Sequence, residues 1–151
     1  VNKYELRRDS GGAGRNRGGL GIVREFEMMY DGISYTGLGD RQKIPPWGLE
    51  VGLAGEGGVY YLVKPDGTST SLPSKCTDIP LEQGDVISVQ TPGSGGYGNP
   101  LERDPIRVLT DVIEGKVSPE KAQELYSVCV VKNGSGWAVD EEKTKRLREK
   151  R

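Results

Sequence analysis

The 151-residue chain contains no histidine. That removes Ser-His-Asp and Cys-His nucleophilic catalysis, His-ligated zinc and imidazole acid–base chemistry. Its two cysteines, Cys76 and Cys129, stand far apart and form no CxxC motif, so neither a zinc knuckle nor a redox pair is expected. One phenylalanine, two tryptophans and two methionines leave few large side chains to fill an interior. No apolar run approaches the roughly 18 residues of a membrane span, and no secretory signal is present, so a reducing, soluble, cytoplasmic setting is expected. Charge of neither sign predominates: 21 basic against 22 acidic residues leave a net charge of -1, which excludes a strongly basic nucleic-acid binder. The first residue is Val1 rather than methionine, as in a processed product or a piece of something longer.

What the chain has in excess is glycine: 23 residues, against about 11 at ordinary usage. Half of them therefore need a backbone explanation. They concentrate in Asp9–Gly19 (DSGGAGRNRGG), Leu49–Gly58 and Thr91–Pro100 (TPGSGGYGNP). Glycine disfavours helix by roughly 1 kcal/mol per residue, and a flexible linker would not interleave Arg15 and Arg17 with small residues. The first run is read as ordered, extended backbone packed closely on other backbone.

Alternation predicts strands at Tyr4/Leu6, Leu20–Tyr30, Ile33–Leu38, Val59–Val63, Ser69–Leu72 and Asp85–Gln90, with Asp78–Leu81 at best an edge because of Pro80. Asp31-Gly32 and Asp66-Gly67 signal hairpins, and Gly37 and Gly39 suggest bulges or a close backbone neighbour. After Pro100 the pattern becomes helical. Ile106, Leu109, Val112 and Ile113 predict a core-facing helix over 105–114 stopped by Gly115. Ser118-Pro119 opens a second helix to Tyr126, Val128–Val131 forms a short strand, and Asp140 caps a last helix running acidic to basic. The expected fold is α+β: residues 1–100 form a β-rich portion, a barrel-like or sandwich sheet with glycine-rich loops, and residues 101–151 a small helical segment packed on it.

Few residues advertise chemistry. Gly93–Gly98 fits GxGxxG, but Asn99-Pro100 follows where a dinucleotide site needs a helix to open. Five arginines fall between Arg7 and Arg24 with one acid, Asp9. Arg15, Arg17 and Arg24 either grip an anion or line a junction, or else arginines of this run satisfy carbonyls stranded by irregular backbone. Asp40-Arg41 reads as a loop-locking ion pair or a site wall. Trp47, after Pro45-Pro46, and Tyr97 are candidate interface anchors, with packing on their own domain equally open for Trp47. The carboxylate pairs Glu25/Glu27 and Glu141/Glu142 read as exposed, and no metal ligand set is expected.

Four ordered blocks carry a resemblance: RRDSGGAGRNRGGLGIVREFE (7–27), DRQKIPPWGLEVG (40–52), LPSKCTDIPLEQGDVISVQTPGSGGYGNPLERDP (72–105) and VLTDVIEGKVSPEKAQELYSV (108–128). Together they resemble the C-terminal part of the hydantoinase B/oxoprolinase family, the B-type subunits of ATP-dependent hydantoinases, 5-oxoprolinases and acetone or acetophenone carboxylases. Ser94, Asn99 and Ser127 stand where that family usually has Gly, Asp and Gly. The resemblance implies a division of labour. An A-type subunit uses ATP and magnesium to phosphorylate an amide, ketone or bicarbonate oxygen, and the B-type subunit completes hydrolysis or carboxylation, in some cases with a divalent metal in its larger N-terminal portion. The present chain is then expected to bind no cofactor itself. It would act as a structural and interface module, a fragment or a split subunit like those of acetophenone carboxylases, partnered by the remainder of the B-type subunit and an ATP-binding A-type subunit in a hetero-oligomer without nucleic acid or membrane. The alternative is a stand-alone β-barrel-like module that binds an anionic ligand through the Arg/Gly run.

Overall fold

A computed structural model describes residues 1–150. In chain order its elements are β1 (Lys3–Leu6), β2 (Ile22–Glu27), β3 (Ile33–Leu38), β4 (Val59–Val63), β5 (Ser69–Leu72), β6 (Lys75–Leu81), β7 (Val86–Gln90), a 3-10 turn (Pro100–Glu102), α1 (Pro105–Ile113), α2 (Pro119–Tyr126), β8 (Val130–Asn133), β9 (Gly136–Val139) and α3 (Glu141–Glu149). This is the expected α+β class, sheet-rich first and helical last.

Five strands form one antiparallel sheet in the order β1-β2-β7-β4-β5. The β-branched strand β7 lies at its centre, where Ile87 sits opposite Phe26 on one side and Leu62 on the other. Ile87, Tyr60, Leu72 and Leu81 form the buried cluster of this half, with Met28, Tyr35 and Ile79 packed against it.

One expected hairpin does not form. The chain turns at Asp31-Gly32, but β3 pairs with β6 and not with β2. This turn and a second at Gln83-Gly84, closed by the Asp85 amide on Glu82 O at 3.1 Å, sit on the same ribbon: the Met28 amide donates to the Asp85 carbonyl at 2.8 Å, the Gly84 amide to the Met28 carbonyl at 2.8 Å, and the Gln83 amide to Asp31 Oδ1 at 2.8 Å. Residues 22–38 thus run antiparallel to 75–90 as one long two-stranded ribbon that bends between two sheets. Its partner is distant in sequence, which a local turn signal cannot reveal. The register shifts between Tyr35 and Gly37 as a bulge, whereas the close neighbour of Gly39 is the Tyr60 ring and not backbone.

The helices begin where their caps place them. Asp104 accepts from the Ile106 amide at 2.9 Å, Ser118 from Lys121 at 3.2 Å and Asp140 from Lys143 at 2.9 Å, each satisfying a donor the first turn leaves free. Gly115 follows α1 at φ 70°. Ser127 closes α2 in the left-handed region at φ 53°, which explains why glycine is favoured at this position. Asn99 accepts from the Leu101 amide at 3.0 Å, a job an aspartate performs equally well. The short strand after α2 is half of a β8–β9 hairpin turned at Gly134; β9 was not anticipated.

The face of α1 is rotated from expectation. Val108, Asp111 and Val112 are buried, Leu109 is half-buried, and Ile106 and Ile113 are 60% and 59% exposed. The reason is Asp111, whose charge is neutralised in the interior and draws its side of the helix inward. Val108, Val112, Val117, Ala122, Tyr126, Val128 and Val130 form the second cluster, and Ala13 of the first glycine run joins it. Burial pushes the Tyr126 phenol up to about 12.

Candidate functional site

Between sheet and helices lies the feature that the glycine excess builds. Segments 10–21, 46–58 and 91–98 belong to no ladder, yet they bond to one another throughout. The Gly12 amide donates to Ser94 O at 2.8 Å, Leu53 to Ala13 O at 2.7 Å, Gly96 to Leu53 O at 2.9 Å, Glu56 to Ser10 O at 2.8 Å, Gly93 to Glu56 O at 3.0 Å and Ser94 to Gly19 O at 2.9 Å. Each segment therefore bonds to both of the others. Their backbones approach too closely for side chains: a Cβ on Gly93 would strike the Ser10 carbonyl, on Gly95 that of Trp47, on Gly96 that of Ala13 and on Gly52 that of Gly96. Glycine is required here for contact distance, since none of these four has a positive φ.

The bundle also disposes of the GxGxxG reading. A phosphate cradle needs free amides, but those of Gly93, Ser94, Gly96, Tyr97 and Gly98 all donate to carbonyls of neighbouring segments. A three-residue 3-10 turn, not a helix, follows.

The arginines of the first run go to separate places. Arg17 is half-buried beside the buried Arg103, and both donate to Asp111 Oδ2, at 3.2 and 2.8 Å. Arg103 also holds the Arg15 carbonyl at 3.0 Å, Arg17 the Gly18 carbonyl at 2.6 Å, and Arg7 the Gly57 carbonyl at 2.6 Å. These three do what stranded carbonyls require. The Arg15 side chain is exposed, 3.6 Å from Glu102, and shares a shallow cleft of about 260 Å³ with Tyr97, Glu50 and Val51. Arg24 lies on the sheet face, its guanidinium 5.0 Å from the ring centres of both Tyr4 and Phe26. No common anion site forms from Arg15, Arg17 and Arg24.

The second group of candidates does meet. Arg41 stacks over the exposed Trp47 ring at 4.4 Å, a cation–π geometry, and makes no ion pair with Asp40. Arg41, Asp40, Lys43 and Lys75 line a cleft of about 380 Å³. Tyr97, 44% exposed, is anchored by its backbone, which exchanges two 2.9 Å hydrogen bonds with Asn16.

Sequence reading missed two buried carboxylates. Asp111 was detectable, because it falls on the Val108/Val112 side of α1. Asp85 lies fully buried, accepting from Lys64 Nζ at 2.9 Å and from the Glu82 amide at 3.0 Å. Burial pushes its pKa up, but the Glu82 amide and Lys64 outweigh it and hold it below the usual carboxylate value. Among the described residues no three His, Cys, Asp or Glu side chains gather in a metal-binding group, and no helix is long and apolar enough to cross a membrane.

Residues 1–100 match the family model described as hydantoinase B/oxoprolinase. The chain belongs to the hydantoinase B/oxoprolinase family. Over 146 residues it is 44% identical to an uncharacterized protein of Methanocaldococcus jannaschii, covering 97% of this chain and 25% of that one. It is 38% identical over 149 residues to the B-type subunit of a putative D-/L-hydantoinase from a Pseudomonas species, covering 98% and 24%. The crystal structure of the ATP-dependent caprolactamase from Pseudomonas jessenii superposes with a TM-score of 0.77 at 30% identity, over 99% of this chain and 26% of that one. The hydantoinase B/oxoprolinase chain thus spans about a quarter of these relatives' length and corresponds to the family's C-terminal part.

Proposed function

We propose that the chain is the C-terminal module of the B-type subunit of an ATP-dependent cyclic-amide hydrolase, completing that subunit rather than catalysing alone. The observation that carries this reading is the 38% identity to the B-type subunit of a putative hydantoinase across 98% of the chain. The chemistry of the module agrees with it. There is no imidazole, and the buried ionisable groups Asp85, Arg103 and Asp111 are engaged in internal ion pairs. The amides of Gly93, Ser94, Gly96, Tyr97 and Gly98 are engaged as well, which supports a structural role for the glycine loop. ATP with magnesium, and any divalent metal, are assigned to the partner portions: the larger part of the B-type subunit and an ATP-binding A-type subunit.

The test is reconstitution. Tagged partner portions are purified with and without this chain and assayed for ATP-dependent ring opening of hydantoin and caprolactam, and for ATP-dependent carboxylation of acetone. Ring opening that appears only when the chain is present is the expected result. Carboxylation in its place moves the chain to the carboxylase branch. Ring opening by the isolated chain, or no dependence on it, refutes the reading.

A further inference from the structure

The segment Leu38–Leu53 crosses the outside of the glycine bundle and carries features that the fold itself does not need. Ile44, Trp47, Leu49 and Leu53 are exposed, and Leu38 and Val51 are exposed by more than three quarters, at 79% and 76%. The backbone beneath them is nevertheless fixed. Pro45-Pro46 restricts it, the Gly55 amide donates to Pro46 O at 2.9 Å, and the Leu49 amide donates to Gly96 O at 2.9 Å. Exposed apolar side chains on a preorganised frame are the mark of an interaction surface.

The turn Leu49–Gly52 sharpens the point. It is closed by the Gly52 amide on Leu49 O at 2.9 Å and puts both central residues, Glu50 (φ 49°) and Val51 (φ 63°), in the left-handed region. Such turns favour Asn-Gly, and a β-branched residue at positive φ is a true outlier. Nothing inside the module rewards Val51 for this strain, since its side chain stands in solvent. Strain of this kind persists at functional sites.

Polar groups on the same face are also unpaired. Among the described residues Arg41, Lys43 and Lys75 have no carboxylate within the 4.0 Å of an ion pair. Gln42 Nε2 is buried without a hydrogen-bond partner, an expense native proteins normally avoid.

We infer that the Leu38–Leu53 face, with Trp47 and Val51 as its anchors, docks on the larger remaining part of the B-type subunit, on an apolar patch rimmed by carboxylates. This rests on the function proposed above. The relatives are about four times as long as this chain, whose match makes up 24% of the putative hydantoinase's B-type polypeptide, so a partner surface much larger than the module is available. A second copy of the chain is a poor occupant, because it would set Arg41, Lys43 and Lys75 against their own copies. The α1 stripe offers two exposed apolar side chains, Ile106 and Ile113, against six here, and no residue of it stands at positive φ, although Arg148 Nε, in the cleft beside Ile106, is also buried without a partner.

The test co-expresses the chain with the tagged remainder of the B-type subunit and measures capture and Kd. Trp47→Glu with Val51→Glu is expected to weaken capture at least tenfold, while Ile106→Glu with Ile113→Glu stays within about twofold. Val51→Gly separates docking from folding: it relieves the turn, so the thermal midpoint of the chain rises, yet capture weakens several-fold. If the double glutamate variant fails to fold, Val51→Gly and Arg41→Glu/Lys43→Glu decide, with weakened capture again expected of both. Unchanged capture of folded variants overturns the assignment of this face, and so does a homodimer of the isolated chain that Trp47→Glu dissolves. Failure of the wild-type chain to be captured overturns the proposed function as well.

Discussion

If close backbone approach, and not turn conformation, is what the glycine bundle demands, single alanine substitutions will separate sharply by position. Gly14 and Gly19 both lie in the first run, and neither has a positive φ, so alanine suits either backbone conformation. A Cβ on Gly14 would stand 2.6 Å from Tyr97 N, 2.7 Å from Tyr97 O and 2.9 Å from Asn16 O, whereas on Gly19 its nearest neighbour is Ser94 Oγ at 3.6 Å. Ordinary contact begins near 3.4 Å, so Gly14→Ala must push the segments apart by about 0.8 Å. That opens the paired 2.9 Å bonds between Asn16 and Tyr97 and strains the neighbouring Leu53–Ala13 and Arg15–Gly98 bonds. At about 1 kcal/mol per bond the loss is about 2–4 kcal/mol, offset by the roughly 0.4–1 kcal/mol that alanine gains by restricting the unfolded chain. Gly14→Ala is therefore expected to destabilise by about 2–3 kcal/mol and to lower the midpoint by about 5–10 °C at this chain length. Gly19→Ala keeps only the favourable part. Urea unfolding followed by tryptophan fluorescence and far-UV circular dichroism measures both. Coincident curves for the two variants would refute the close-approach account.

Other expectations concern buried charge. Asp111→Ala leaves the buried Arg103 and the half-buried Arg17 without their counter-charge and should cost about 3–5 kcal/mol in the same unfolding assay. Asp85, held below the ordinary value of 3.8, contributes stability that is complete above that value and is lost as pH falls through its lower folded value. Asp85→Asn should remove that portion of the acid-side decline, seen as a flatter plot of urea midpoint against pH. Tyr126 moves the alkaline side. Its phenol ionises near 10 when unfolded and near 12 when folded, so stability should fall as pH rises from about 10 towards 12. Tyr126→Phe should lack that contribution, and ultraviolet titration of the folded wild type should show two late-ionising tyrosines, Tyr126 and Tyr35, both raised by burial, of which the variant loses the first.

Much of the fold was legible because its signals are local. Asp104-Pro105, Ser118-Pro119 and Asp140 each carry cap and first turn in adjacent residues, and all three helices start there. The limits of β3 and β4 were legible for the same reason. Pairing was not: Asp31-Gly32 marks a turn but cannot say that β3 leaves β2 for a strand more than forty residues on. The fate of Arg17 was equally hidden, since Asp111 lies 94 positions away, and nothing in the alternation of Arg15 and Arg17 says which one turns inward. The glycine runs announced close contact without naming the neighbour. Trp47 and Tyr97 were visible as apolar residues among loop residues, but Val51 was not, because its significance lies in a φ of 63° that no residue type favouring strands would suggest.

The scarcity of large side chains and the exposure of those present have one physical origin. Three segments that bond to one another at backbone contact distance leave no volume between them for large side chains, so the interior of the bundle is held by amide–carbonyl bonds and contributes little hydrophobic stabilisation. Small side chains such as Ser10 and Ala13 fit inside, but the larger apolar ones Trp47, Leu49, Val51, Leu53 and Tyr97 point outward. A helix or sheet of the same length would turn half of its apolar residues inward and spend them on its own stability. A glycine bundle instead supplies a rigid frame whose apolar groups remain available to a neighbour. The expected cost is low stability in isolation, and a partner that binds only the folded module then raises its melting temperature by mass action. The thermal midpoint should therefore rise with the concentration of the remaining part of the B-type subunit for wild type and much less for Val51→Gly, even though the variant begins from a higher value.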